Sequence, residues 1–194
     1  MQEFLYNQVV DWIPEKSRVL DLGTGDGAFL ERLVREKNAM AEGVEIDPEM
    51  VARCIERGVV VHQGDILDGL DQYEGEVFDF VLLLGTFQEL AFPRNILEEA
   101  FRVGKKLIIA YTNFAHWRIR FQLMFRGGSP VTSAMPHAWY NTPTSSFFSV
   151  QDFRSFVRML ELRELKSAYF NSMGPVGSMP NLRAESALTM LSQK

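Results

Sequence analysis

One stretch constrains this chain more than any other: VLDLGTGDG, Val19 to Gly27. Val19, Leu20 and Leu22 make a short apolar run that enters a turn with glycines at positions 23, 25 and 27, and AFLERLVREK then takes up helical periodicity from Ala28. A strand that breaks into a glycine turn and resumes as an amphipathic helix is the opening unit of a parallel α/β sheet. Glycines at alternate positions reach backbone conformations closed to other residues and let the main chain approach a ligand with no Cβ between them. Asp21 places a carboxylate at the end of the strand, beneath the turn. Three nearby glycines also occur in ordinary turns, so the downstream context has to decide.

That context begins with AEGVEIDPEM, Ala41 to Met50, which reads as a second strand ending in Glu45, with Asp47 and Pro48 opening a helix. In open parallel sheets an acidic residue about 20 residues past the glycines accepts hydrogen bonds from ribose hydroxyls, because a carboxylate matches a vicinal diol. A solvated strand-end glutamate is the alternative. It is disfavoured because Glu45 interrupts an apolar run, where an unpartnered charge is costly. With QGD at Gln63 to Asp65, these motifs resemble the class I S-adenosylmethionine-dependent methyltransferases. Dinucleotide-binding folds use GxGxxG to face a pyrophosphate. Here the spacing is GxGxG with Asp21 and Asp26 beside it, charges that repel a diphosphate and suit a ligand bearing an ammonium and a sulfonium. The resemblance thus implies S-adenosylmethionine rather than NAD, held by Asp21, Gly23, Thr24, Gly25, Glu45, Ile46, Gly64, Asp65 and Ile66. Asp65 is the expected acceptor for the adenine amino group, and it is also placed to cap a helix starting near Ile66.

Composition narrows the function classes. A net charge of -5 gives no general nucleic-acid footprint, and the single Cys54 allows neither an intrachain disulfide nor a cysteine zinc cluster. MQEFLYNQVVDWI lacks the basic start and uninterrupted apolar core of a signal peptide. No apolar run approaches the roughly 18 residues of a membrane span. The expectation is a cytoplasmic protein without a metal site, nucleic-acid partner or membrane anchor.

Along the chain, Leu5, Val9, Trp12 and Ile13 recur at helical spacing, and the helix they form is expected to cap the cofactor side of the sheet. Phe29, Leu30, Leu33 and Val34 form the stripe of the first crossover helix, and Met50, Val51, Cys54 and Ile55 that of the second. Val59–His62 reads as the third strand, Phe78–Leu84 as the central and most apolar one, and Lys105–Tyr111 as the fifth, after a helix over Pro93–Val103. Ser149–Leu160 is a further helix. Leu162–Phe170 and Ser186–Leu191 close the sheet as an antiparallel hairpin around a loop at 171–181. The expected fold is α/β: a doubly wound, mostly parallel seven-stranded sheet in one domain over 1–194, with a lid or docking insertion at about 112–148, too long for a plain connection.

The motifs of the second half sharpen the resemblance. DLGTGDG, GVEIDPE, FDFVLL, RVGKK, NFAHWRIRFQL, PVTSAMPHAWYNTP and the VQDF helix start are similar to the MetW family of bacterial methionine biosynthesis proteins, over nearly the whole chain. That resemblance implies a role with homoserine O-acetyltransferase, either as a methyltransferase for an unidentified acceptor or as a cofactor-sensing regulator. The chain departs from the family pattern at Thr24, where cysteine is usual, and at Thr144 to Phe147, where a basic residue is expected. No dedicated base is legible; Asn113, His116 and Tyr140 are candidates. His116, Trp117, Arg118 and Arg120 form either a lid or docking surface for an anionic or carbonyl-bearing partner, or a helix whose Trp117 and Phe121, at helical spacing, are core while the arginines are a solvated face. His137, Trp139 and Tyr140 fall in a proline-flanked loop that could cover the cofactor or simply pack.

Overall fold

The apolar runs pair into one sheet in a computed structural model, which describes residues 2–132, 135–138, 140–142 and 146–194. Its strands are β1 (Arg18–Leu22), β2 (Met40–Glu45), β3 (Val60–Gln63), β4 (Phe78–Leu83), β5 (Gly104–Thr112), β6 (Arg163–Asn171), β7 (Gly174–Pro175) and β8 (Ser186–Ser192). Their order is β3-β2-β1-β4-β5-β8-β6-β7. The first five are parallel, and β8 runs antiparallel to both β5 and β6. The sheet therefore has eight strands where seven were expected. The additional one, β7, is a two-residue pairing of Gly174 with Asn171 and Pro175 with Phe170, too short and too proline-bound to show an alternating pattern.

FDFVLL reads as continuous apolar sequence because both faces of β4 are covered. Val81 and Leu83 pack into one layer with Leu20, Leu22, Phe101 and Phe153. Phe80 and Leu82 pack into the other with Val9, Ile13, Leu30 and Leu33. Helices α1 (Gln2–Trp12) and α2 (Ala28–Lys37) belong to this second layer, as does α3 (Pro48–Glu56) through Cys54; α4 (Ile66–Asp71), α5 (Pro93–Val103) and α7 (Val150–Met159) belong to the first. Two of the expected stripes are narrower than the spacing suggests: Val34 and Ile55 are exposed. In α3 the cause is position, since it packs on β2 and β3 at the rim of the sheet.

After β3 the chain crosses to the far side of β1 and continues as β4. Loops leaving β1 and β4 therefore diverge at their carboxyl ends and open a crevice, the place where doubly wound sheets bind ligands.

The helix α6 (Trp117–Arg126) separates the two readings of its aromatic residues. Trp117 and Phe121 are 49% and 55% exposed, and Ile119 is the buried residue of this helix. The rings of Phe121 and Phe125 pack on each other, centroids 4.5 Å apart, in place of the sheet. The outward-facing reading is the one that fits Trp117 and Phe121. Trp139, Pro143, Thr144 and Ser145 lie outside the described residues.

Candidate functional site

The glycine turn is built by its neighbours. Gly23 N–H and Thr24 N–H both donate to Val44 O, at 2.9 and 3.1 Å, which ties the turn to β2. A Cβ on Gly23 would lie 2.1 Å from Thr86 Cγ2. Only glycine fits there, because Thr86 also donates to Leu22 O at 2.9 Å and cannot withdraw. Gly25 has φ +58 and nothing within 4 Å of a built Cβ, so its outer side is open space. Beneath the loop, Cys54 Sγ donates to Gly25 O at 3.1 Å. Arg57 straps it from outside, with contacts of 3.0 Å to Asp26 O, 2.9 Å to Asp26 Oδ2 and 2.9 Å to Glu31 Oε2.

Asp26 lines the same side of the loop as Asp21 and is ion-paired there. Ala28 N–H and the Arg57 guanidinium hold its carboxyl below the usual carboxylate range. Asp21 is in the opposite state. It is 3% exposed, its Oδ1 has no hydrogen-bond partner among the described residues, and it borders a cavity of about 380 Å³. Burial pushes its pKa up to about 7. The nearby Thr24 hydroxyl opposes that shift and the Glu45 carboxylate adds to it. Gln2, Glu3 and Tyr6 of α1 wall the cavity, with Gly23, Thr24, Leu84 and Gly85, so the amphipathic first helix does cover this edge of the sheet.

Glu45 is locked by three backbone donors: Gly25 N at 2.7 Å, Ile46 N at 2.8 Å and Asp47 N at 3.0 Å. The expected pair of glycine loop and strand-end carboxylate is thus in direct contact. Ile46 projects outward, exposed, beside it. Gly64 joins the same corner through its N–H to Glu45 O at 3.0 Å. Next to it, Asp65 caps α4 by accepting from Leu67 N at 3.0 Å, and Ile66 begins that helix. The nine predicted residues therefore form two connected groups. Asp21, Gly23 and Thr24 face the cavity; Gly25, Glu45, Ile46, Gly64, Asp65 and Ile66 run along the ends of β2 and β3.

The other candidates separate by burial. Asn113 is fully buried and fully used: its Nδ2 donates to Pro180 O, Asn181 O and Ala184 O, while its Oδ1 accepts from Ala115 N and Val150 N. It is a knot joining β5, α7 and the short helix α8 (Pro180–Arg183), with no capacity left for proton transfer. His116 is buried at the start of α6, and burial pushes its pKa down. Tyr140 is exposed. Sequence reasoning missed Gln88, buried and bonded to Thr112 N, Thr112 O and Ser146 O. A glutamine inside an otherwise loop-like stretch carried no periodic signal.

Comparison with known proteins follows the geometry. Residues 4–191 match the family described as Methionine biosynthesis protein MetW. A bifunctional methionine biosynthesis protein MetXA/MetW from Rhodopirellula baltica is 30% identical over 164 residues, which are 79% of this chain and 26% of the relative. The chain spans about a quarter of the length of that curated relative. Among solved structures, a SAM-dependent methyltransferase from Thermotoga maritima is similar with a TM-score of 0.69 at 21% identity, covering 100% of this chain and 91% of that one. The [4+2]-cyclase SpnF is similar with a TM-score of 0.68 at 14% identity, covering 97% of this chain and 80% of that one. These likenesses show a class I methyltransferase fold, and a fold shared with a cyclase does not fix the reaction.

Proposed function

This chain belongs to the MetW family, and from that premise we propose that it binds S-adenosylmethionine at the carboxyl ends of β1 and β2 and transfers its methyl group to an acceptor in methionine biosynthesis. The observation that carries the reading is Asp21: a buried carboxylate with an unpartnered oxygen beside a cavity of about 380 Å³. An unpaired buried charge is costly, and a ligand ammonium supplies the missing partner.

The residues present fit the cofactor. Asp21 takes the ammonium, the open side of Gly25 admits the methionine part, Glu45 exchanges backbone donors for ribose hydroxyls, and Asp65 keeps a carboxylate oxygen for the adenine amino group. Ile46 and Ile66 offer apolar surface to the ring. Thr24, where the family pattern has cysteine, is buried next to Asp21; the cradle uses its backbone, which the change preserves. When bound, S-adenosylmethionine brings an already activated methyl group, so positioning supplies much of the rate. The test is the purified full chain: bound S-adenosylmethionine or S-adenosylhomocysteine on isolation, or a rise in Tm with either. Absence of all of these refutes the reading, and turnover to S-adenosylhomocysteine with a defined acceptor establishes the transferase.

A second reading draws on the exposed aromatic face of α6 and on the relative whose name joins MetXA and MetW. In it the chain docks homoserine O-acetyltransferase through α6 and the loop at 136–143, and cofactor occupancy tunes the partner. Interfaces favour such mixtures of aromatic and arginine side chains. Arg118→Glu with Arg120→Glu abolishes co-purification of the two proteins if this surface is used; an intact complex excludes it.

A further inference from the structure

Another cleft, of about 460 Å³, is formed where α6, α7 and α8 meet. Three arginines line it, Arg120, Arg154 and Arg158, and its lining contains no acidic residue. Such a gathering is unexpected in a chain of net charge -5. Arg154 and Arg158 also stand four residues apart on α7, a spacing at which like charges weaken a helix. Arg154 is partly compensated, with Glu164 Oε2 at 3.7 Å and the Tyr169 hydroxyl at 2.6 Å. The contacts made by the other two are to neutral atoms: Arg120 Nε to Ala115 O at 2.6 Å, and Arg158 to Ser155 Oγ at 3.0 Å. Among the described residues neither has a carboxylate within ion-pair distance.

The walls are rigidly built. Buried Asn113 holds Pro180, Asn181 and Ala184 by their carbonyls, which fixes α8 against α7. The leading N–H groups of α7 are already taken: Val150 N by Asn113 Oδ1, Gln151 N by Asn181 Oδ1, and Asp152 N by Ser149 Oγ. The helix terminus therefore has no donors to offer, and recognition in this cleft falls to the guanidinium groups. Planar guanidiniums pair with carboxylate and phosphate in a two-pronged fashion, and the volume is that of a site for a small organic molecule.

We propose that this cleft binds a small organic anion carrying at least two negative charges as phosphate or carboxylate groups. The site is independent of the cofactor reading, since it shares no residue with the glycine loop or Glu45. Calorimetric titration of the full chain with pyrophosphate and with citrate, at ionic strength matched by sodium chloride, tests it and separates phosphate from carboxylate ligands. Saturable one-to-one binding of either probe is expected. It should weaken at least tenfold in an Arg120→Gln, Arg158→Gln variant, with partial retention in Arg158→Lys, which keeps the charge and loses the fork. Both substituted side chains are exposed, and an unchanged circular dichroism spectrum and Tm show that the variant is folded. Heats no larger than the chloride control, or equal affinity in the double variant, overturn the proposal and return the arginines to a solvated face. A hexaglutamate peptide that binds more than tenfold tighter than either small anion also overturns it, in favour of an acidic protein segment.

Discussion

The glycine turn and α6 are two regions of similar length with opposite design. Around the turn every local feature agrees: Gly23 fits where no side chain would, Val44 O receives two of its N–H groups, and Glu45, Cys54 and Arg57 hold it from three sides. Little is left to organise when a ligand arrives. Helix α6 is held at its start by buried His116 and Ile119, and it carries Trp117, Phe121, Met124 and Phe125 on its exposed surface. The contrast teaches that this fold concentrates its internal contacts on the glycine-turn edge and leaves exposed apolar side chains on a helix that contributes little to the core. The docking reading proposed above rests on this exposed aromatic surface.

The largest effect should come from breaking the turn. Gly25→Val puts a β-branched side chain at φ +58 on the open side of the loop, and binding of S-adenosylmethionine should vanish from a calorimetric titration. Because nothing packs within 4 Å of that position, the loss of stability should be confined to backbone strain, about 1–3 kcal/mol. Normal binding by the folded variant would remove the loop from the site.

A smaller loss is expected for Glu45→Ala. Affinity should fall by about 1.5–3 kcal/mol, the range for hydrogen bonds to a charged group. The three backbone donors that Glu45 satisfies add a stability cost that a purely ligand-facing carboxylate would not show. A variant with unaltered Tm would show that the lock on Gly25 N–H contributes nothing, and unaltered affinity would take Glu45 out of ribose binding.

The smallest global effect should come from α6. Ile119→Ala removes its buried anchor, yet the shift in Tm should stay below that of an ordinary core truncation, about 2–5 kcal/mol, because the helix can detach while the sheet stays folded. Hydrogen exchange should lose protection across 117–126 and not elsewhere. Uniform loss of protection throughout the chain would mean that α6 is part of the core after all.

How much of this was legible beforehand follows from what each region obeys. Strand and helix periodicity placed β1 to β5, the central position of FDFVLL and the helix beginning at Ser149, because those signals are local. The pairing of Glu45 with the glycine loop was legible from spacing in a parallel sheet. Long-range facts were not: that Arg57 would neutralise Asp26, that Asn113 would commit every hydrogen bond to structure, or which of the two readings of Trp117 and Phe121, core or outward surface, the fold would select. Each depends on which element lies opposite, and residue order does not encode that directly. Two-residue β7 and four-residue α8 fall below the length at which periodicity exists.

Asp21 offers the most direct test. With its pKa raised from 3.8 to about 7, the folded chain holds a proton that the unfolded chain releases. The stability this confers is present at low pH and is lost as pH rises through about 7. Only the ionised carboxylate pairs with an ammonium. The decisive measurement is the Kd of S-adenosylmethionine for the native chain and for Asp21→Asn at pH 6 and 7.5, both below the roughly 7.7–8.0 at which an α-amino group loses its proton. The account predicts that native binding tightens from pH 6 to 7.5 as Asp21 ionises, while Asp21→Asn binds weakly, without that tightening, and loses less stability than the native chain as pH rises toward neutrality. Equal affinities for the two proteins at both pH values would contradict it.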